Sequence, residues 1–136
     1  MLGAVTVLGD FWTLGILRSA VFGERRYGGF QRELGLATNV LAERLARLVD
    51  VGVLARVPYQ ERPVRHEYVL TEMGAELVPL VLALKAWGDR YLQPDGPYTE
   101  VRHAGCGGRV EVVARCAECG GRVAAAETET VSLRQP

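Results

Sequence analysis

One histidine and three cysteines fall in two pairs of equal spacing, His103-x2-Cys106 and Cys116-x2-Cys119. Residues 103–110, His-Ala-Gly-Cys-Gly-Gly-Arg-Val, and 116–123, Cys-Ala-Glu-Cys-Gly-Gly-Arg-Val, agree at six of eight positions, an internal repeat with an offset of 13. Each copy ends in a ligand-type residue followed by two glycines. Flexible glycines there let backbone amides turn towards a metal-bound thiolate. One imidazole and three thiolates are the donor set of a closed tetrahedral structural zinc site, and soft sulfur donors favour zinc over hard cations. Such a site carries a charge of about −1, which Arg109, Arg115 and Arg122 can offset. The expectation is a structural zinc in a small ribbon whose strands contain Val110, Val112, Val113 and Val123. The competing reading is a reduced tail with an incidental histidine. Against it, a metal-free segment of roughly 30 residues has too little apolar surface to fold by itself. All three cysteines of the chain lie between 106 and 119, and an odd, clustered set cannot form a closed disulfide framework.

The rest of the 136 residues must supply a core, and 49% apolar residues suffice for one domain with an appendage. Sixteen basic residues balance sixteen acidic ones, so the whole chain has none of the bias of a generic polyanion binder. Charge is distributed unevenly, however. From Arg18 to Arg65 nine arginines face Glu24, Glu33, Glu43, Asp50 and Glu61, a local charge of +4. Residues 93–136 hold five arginines and six acids, a sum of −1. Fifteen of the sixteen basic residues are arginine, which is the better phosphate fork but which codon bias explains equally well. Apolar runs fall far short of the roughly 20 residues a membrane-spanning helix needs. The apolar stretch from Met1 to Leu8 has no basic region before it and leads into Asp10, so a secretory signal is not expected and the expected compartment is the cytoplasm.

Periodicity predicts the elements that carry these residues. Leu8, Phe11, Trp12, Leu14, Leu17 and Val21 recur at helical spacing and stop at Gly23. A short helix follows from about Gly28 to Leu34. A third, from Thr38 to Asp50, carries Leu41, Leu45 and Leu48 on one stripe and closes at Gly52. Val53 to Val57 and His66 to Leu70 are predicted strands of a hairpin whose long basic tip, Pro58 to Arg65, is stiffened by prolines. Thr71 can cap a last long helical segment, with a kink or restart near Pro79. Prolines and a glycine in Gln93-Pro94-Asp95-Gly96-Pro97 end it. The predicted organisation is 1–92, a linker 93–100, and a zinc-ribbon-like segment 101–136.

Three helices, a two-stranded wing and a further helix are the order of a winged helix-turn-helix, a mainly α fold with a small β-wing. The residues themselves resemble a family. Gly9-Asp10-Phe11-Trp12, Ile16-Leu17-Arg18, Tyr27-Gly28-Gly29-Phe30-Gln31-Arg32-Glu33-Leu34, Leu41-Ala42-Glu43-Arg44-Leu45-Ala46-Arg47-Leu48 and Gly52-Val53-Leu54-Ala55-Arg56 are similar to the HxlR-type transcriptional regulators. Pro63, Glu67-Tyr68-Val69-Leu70-Thr71, Gly74 and Leu84-Lys85-Ala86-Trp87-Gly88 extend the match, which covers about residues 8 to 92. The resemblance implies a dimeric winged-helix regulator that binds double-stranded DNA. Two departures matter. The family usually has a serine where this chain has Ala37, so the cap of the third helix shifts to Thr38 or weakens. Redox-sensing members use an early cysteine; none precedes Cys106 here, so thiol sensing of that kind is not implied.

With Leu41, Leu45 and Leu48 directed inward, a rotation of about 100° per residue turns Asn39, Glu43 and Ala46 outward, with Ala42 and Arg47 at the sides. Asn39 suits a bidentate contact with adenine, Glu43 can accept from cytosine, and the Ala42 methyl can meet a thymine methyl. Thr38 is a phosphate or base candidate. Arg44 lies closer to the core stripe and can reach a phosphate or an internal acid; its place in the family motif keeps it among the expected DNA contacts. Arg62 and Arg65 at the wing tip suit the phosphate backbone or the minor groove beside the third helix, and Arg32 and Arg26 from the second helix can grip phosphates. The bland alternative is a solvated helix face with a Glu43–Arg47 pair and arginines that merely solubilise a turn. Leu77, Leu80, Val81, Leu84, Trp87 and Tyr91, with Phe11 and Trp12, form the expected homodimer surface, some of them serving as core. A winged-helix docking module without specific DNA binding is the alternative function. An enzyme is disfavoured: His66 and His103 are the only histidines, no nucleophile and base pair emerges, and a closed zinc site has no open position for water. Small-molecule or redox effector, operator and sign of regulation have no sequence signal.

Overall fold

A computed structural model describes residues 2–133. The chain divides into two compact units, Met1–Gly88 and Asp89–Pro136. In the first, α1 (Leu2–Leu8) precedes α2 (Phe11–Val21), α3 (Tyr27–Leu34) and α4 (Thr38–Asp50). An antiparallel hairpin follows, β1 (Leu54–Glu61) with β2 (Val64–Leu70), then a short α5 (Glu72–Ala75) and α6 (Val78–Tyr91), whose residues from Asp89 on belong to the second unit.

The predicted first helix is two helices, because Asp10 starts a new one. Its carboxylate accepts the amides of Trp12 and Thr13 and the Thr13 hydroxyl, satisfying donors that a helix start leaves free. Leu8 therefore belongs to α1. The buried residues of α2 are Thr13, Ile16, Leu17 and Ser19, which differ from the expected stripe except at Leu17, and Phe11 points out at 77% exposure. Helix α4 has the predicted bounds. Leu41, Leu45 and Leu48 are buried, together with Phe30, Leu36, Val53, Leu54 and Val81, and this is the core that fixes α4 against α2, α3 and the hairpin base.

The wing differs from expectation in length. Strand pairing runs from Leu54↔Leu70 out to Glu61↔Val64, so the tip is only Arg62-Pro63, a cis peptide, and the long loop is absent. Pro58 lies within β1 opposite His66, and a bulge follows it between Pro58 and Gln60. The hairpin base is tied down by Tyr68 N–H donating to the Arg25 carbonyl at 2.7 Å and by the edge-to-face pair Phe30–Tyr68. Thr71 caps α5 as expected, accepting from Gly74 N–H while its hydroxyl donates to the Gly52 carbonyl. Gly74 is required there, since a Cβ would lie 2.1 Å from the Val53 carbonyl oxygen. Near Pro79 the chain restarts: α5 ends and α6 begins at Val78, so the proline sits in a first turn, where its missing N–H costs nothing.

In the second unit the expected ribbon strands do not form among the described residues. Single antiparallel pairings link Arg102 with Arg109 and Arg115 with Arg122. Each closes one copy of the repeat on itself, Val110 N–H donating to the Val101 carbonyl and Val123 N–H to the Ala114 carbonyl. A short turn of 3-10 helix spans Ala125–Glu127.

Candidate nucleic-acid interface

Helix α4 starts at Thr38 with Ala37 as its cap residue and no side-chain capping bond, the weaker of the two expected arrangements. The preceding helix holds Thr38 itself without capping the free amides. Tyr27 Oη donates to the Thr38 carbonyl at 2.6 Å and Gln31 Nε2 donates to Thr38 Oγ1 at 3.1 Å. Residue type alone singles out neither Tyr27 nor Gln31; their i, i+4 spacing on α3 is the available signal. Thr38, Asn39, Ala42, Glu43 and Ala46 are exposed on α4, opposite the buried leucines, as the rotation predicts.

The arginines divide into those held by the protein and those directed to solvent. Arg44 is half-buried, with Nε 3.6 Å from the Asp10 carboxylate, so the internal acid is its partner in this structure. Burial alone would raise the Asp10 pKa, but the Thr13 hydroxyl, the Thr13 and Trp12 amides and the Arg44 charge together hold it below the usual carboxylate value. Arg47 donates to the Thr6 carbonyl and ties α4 to α1. Arg26 stacks on Tyr59, 4.4 Å from the ring centroid, and pairs with Glu67 at 3.5 Å, bracing the wing against the start of α3. Arg32 on α3 and Arg62 and Arg65 at the wing tip are exposed.

Helix α6 presents a separate apolar face. Val81 is buried and Leu77 and Trp12 pack against the core. Leu80, Leu84, Trp87 and Tyr91 are exposed, Trp87 at 55%.

In the second unit the two halves of the expected metal site adopt the same local form. His103 Nδ1 lies 3.3 Å from Cys106 Sγ. The amides of Cys119 and Glu118 and the Cys119 thiol approach Cys116 and lower its pKa below the ordinary thiol value. Among the described residues no three His, Cys, Asp or Glu side chains form one cluster able to hold a metal. The structure thus brings together the members of each pair but does not join the pairs.

A family model for the HxlR-like helix-turn-helix matches residues 7–96. The chain belongs to the HxlR-like helix-turn-helix family. Its curated relatives include the HTH-type transcriptional regulators Rv3095 of Mycobacterium tuberculosis and Mb3122 of Mycobacterium bovis, each 45% identical over 90% of this chain and 78% of the relative. Among solved structures, PA1607, described as a candidate transcription factor, superposes with a TM-score of 0.83 at 38% identity, covering 94% of this chain and 90% of that one. The redox regulator HypR in its reduced form has a TM-score of 0.63 at 29% identity, covering 68% and 92%. The HxlR-like part of this chain, residues 7–96, contains no cysteine. The two cysteine-bearing repeats lie outside the HxlR-like match, although the similarity to the mycobacterial regulators extends past it. As an HxlR-like protein the chain is a DNA-binding transcriptional regulator. Among the described residues no helix is long and apolar enough to cross a membrane.

Proposed function

We propose that this HxlR-like regulator reads a pseudo-palindromic operator in double-stranded DNA as a homodimer, with α4 in the major groove. The observation that carries this is the solvent-facing side of α4: Thr38, Asn39, Ala42 and Glu43 are exposed opposite a fully buried leucine stripe, and none of them is needed for the core. These are side chains that can discriminate base edges. Arg32, Arg62 and Arg65 are exposed cations suited to phosphates, which fix register without reading sequence. Arg44 and Arg47 support the reading helix through Asp10 and Thr6, and a contact of either with phosphate would exchange that internal partner for DNA.

A single helix in the groove makes too small an interface for operator affinity, which favours two copies on two half-sites. Leu80, Leu84 and Trp87 on the exposed side of α6, and Phe11 on α2, are exposed apolar side chains of the kind a second copy covers. The test is a mobility shift on the chain's own upstream region beside shuffled DNA of equal length, at two salt concentrations. A shift confined to the upstream region, persisting at the higher salt, is expected. No preference for that region at either salt would favour a docking module and contradict the proposal.

A further inference from the structure

We propose that His103, Cys106, Cys116 and Cys119 close on one zinc ion, and that this ion, in place of an apolar core, holds residues 101–123 folded. The internal repeat is repeated in the backbone. His103 N–H donates to the Gly108 carbonyl and Gly107 N–H to the His103 carbonyl; Cys116 N–H donates to the Gly121 carbonyl and Gly120 N–H to the Cys116 carbonyl. The glycine after each second ligand is left-handed, Gly107 at φ 70° and Gly120 at φ 69°, which turns the chain back over the ligands. The next glycine lies against the sulfur: a Cβ on Gly108 would be 3.3 Å from Cys106 Sγ and one on Gly121 3.4 Å from Cys119 Sγ. Two segments that differ in sequence at the first ligand thus build the same knuckle around the same two donor positions.

The donors are spaced for a metal. Zinc bonded to sulfur at about 2.3 Å and to nitrogen at about 2.0–2.1 Å with tetrahedral angles holds those two atoms roughly 3.6 Å apart. His103 Nδ1 and Cys106 Sγ are 3.3 Å apart, so one edge of the tetrahedron is nearly formed, with Nδ1 as the donor nitrogen. The amides of Glu118 and Cys119 already point to the Cys116 sulfur. Arg102, which also pairs with the Glu100 carboxylate, donates to the Gly107 carbonyl at 2.9 Å and Arg115 approaches the Gly120 carbonyl at 3.5 Å, so a guanidinium lies beside each knuckle.

What this segment lacks is a buried core. Among the described residues from 101 to 133 none is buried. A segment of this size without a core does not hold its turns in water, whereas zinc affinity is itself folding free energy. The two pairs are separate here, and the linking residues 109–115 are nearly all exposed, so no packing opposes their closure on one ion.

Cobalt titration of the full-length reduced chain, first freed of metal, tests this independently of DNA binding. One cobalt per chain is expected, with a thiolate-to-cobalt charge-transfer band and tetrahedral d–d bands, displaced by zinc. Cys106→Ser, Cys116→Ser and Cys119→Ser should each weaken the charge-transfer band, and His103→Ala should lower affinity at least about tenfold while the thiolate band persists. Far-ultraviolet dichroism of each variant checks that the helices remain. Fewer than about 0.2 cobalt per chain, a six-coordinate spectrum without charge transfer, or one ion per two chains would overturn the proposal.

Discussion

Asn39 and the wing arginines make different demands on DNA, and substitution separates them. Asn39→Ala should cost about 1–3 kcal/mol on the preferred operator and relax the preference at one base pair, measured by anisotropy against single-base operator variants. Arg62→Ala or Arg65→Ala should weaken binding to every sequence alike and reduce the slope of log affinity against log salt by about 0.9 for each phosphate no longer neutralised. An Asn39→Ala protein with unchanged preference would remove that residue from the reading face. The exposure of Asn39, Ala42 and Glu43 is legible from the leucine spacing alone, because helical rotation fixes direction once three core positions are known. The partner of Arg44 is legible only as a class. Periodicity turns Arg44 towards the core, but that the internal acid is Asp10, far away in sequence, depends on how α2 packs against α4. Beyond their i, i+4 spacing, Tyr27 and Gln31 give no sequence signal for the same reason, since their role is set by where α3 ends against Thr38.

At the level of elements, α3, α4 and α6 follow from apolar period and terminators, and expectation and structure part where a local polar interaction overrides the pattern. Asp10 divides what hydrophobic spacing joins, because a carboxylate taking two amides starts a helix regardless of the leucines on either side. Removing it should cost: Asp10→Ala is expected to lower stability by about 1 kcal/mol in urea unfolding. The carboxylate is held below its ordinary pKa in the folded state, so its contribution is complete above the unfolded-state value and is lost as pH falls through the folded one. Asp10→Asn should therefore retain most of the cap at neutral pH and show a flatter acid limb than the parent; parallel limbs would contradict that assignment. Leu45→Ala, which opens the core beneath the reading helix, should cost about 2–5 kcal/mol. The wing tip is shorter than its sequence suggests because Pro58 reads as a loop residue, whereas both strands of a two-stranded sheet are edge strands, where proline is tolerated.

For the whole molecule, the zero net charge averages a basic region from Arg18 to Arg65 with neutral to acidic surroundings. The apolar side of α6 is visible in sequence as a stripe, but which residues are core and which surface depends on the packing: Val81 is buried, whereas Leu84 is 47% exposed. If a second copy covers that side, Leu84→Glu should convert the dimer to a monomer in sedimentation equilibrium and lower operator affinity without unfolding the chain. A monomeric parent protein would exclude this. Selection of bound sequences from a random duplex pool by the purified chain tests base-specific reading by a dimer most directly. The expected outcome is an inverted repeat with half-site centres one helical turn or a whole number of turns apart, about 10 base pairs each. A pool that returns no enriched motif, or a single unpaired half-site, would contradict it.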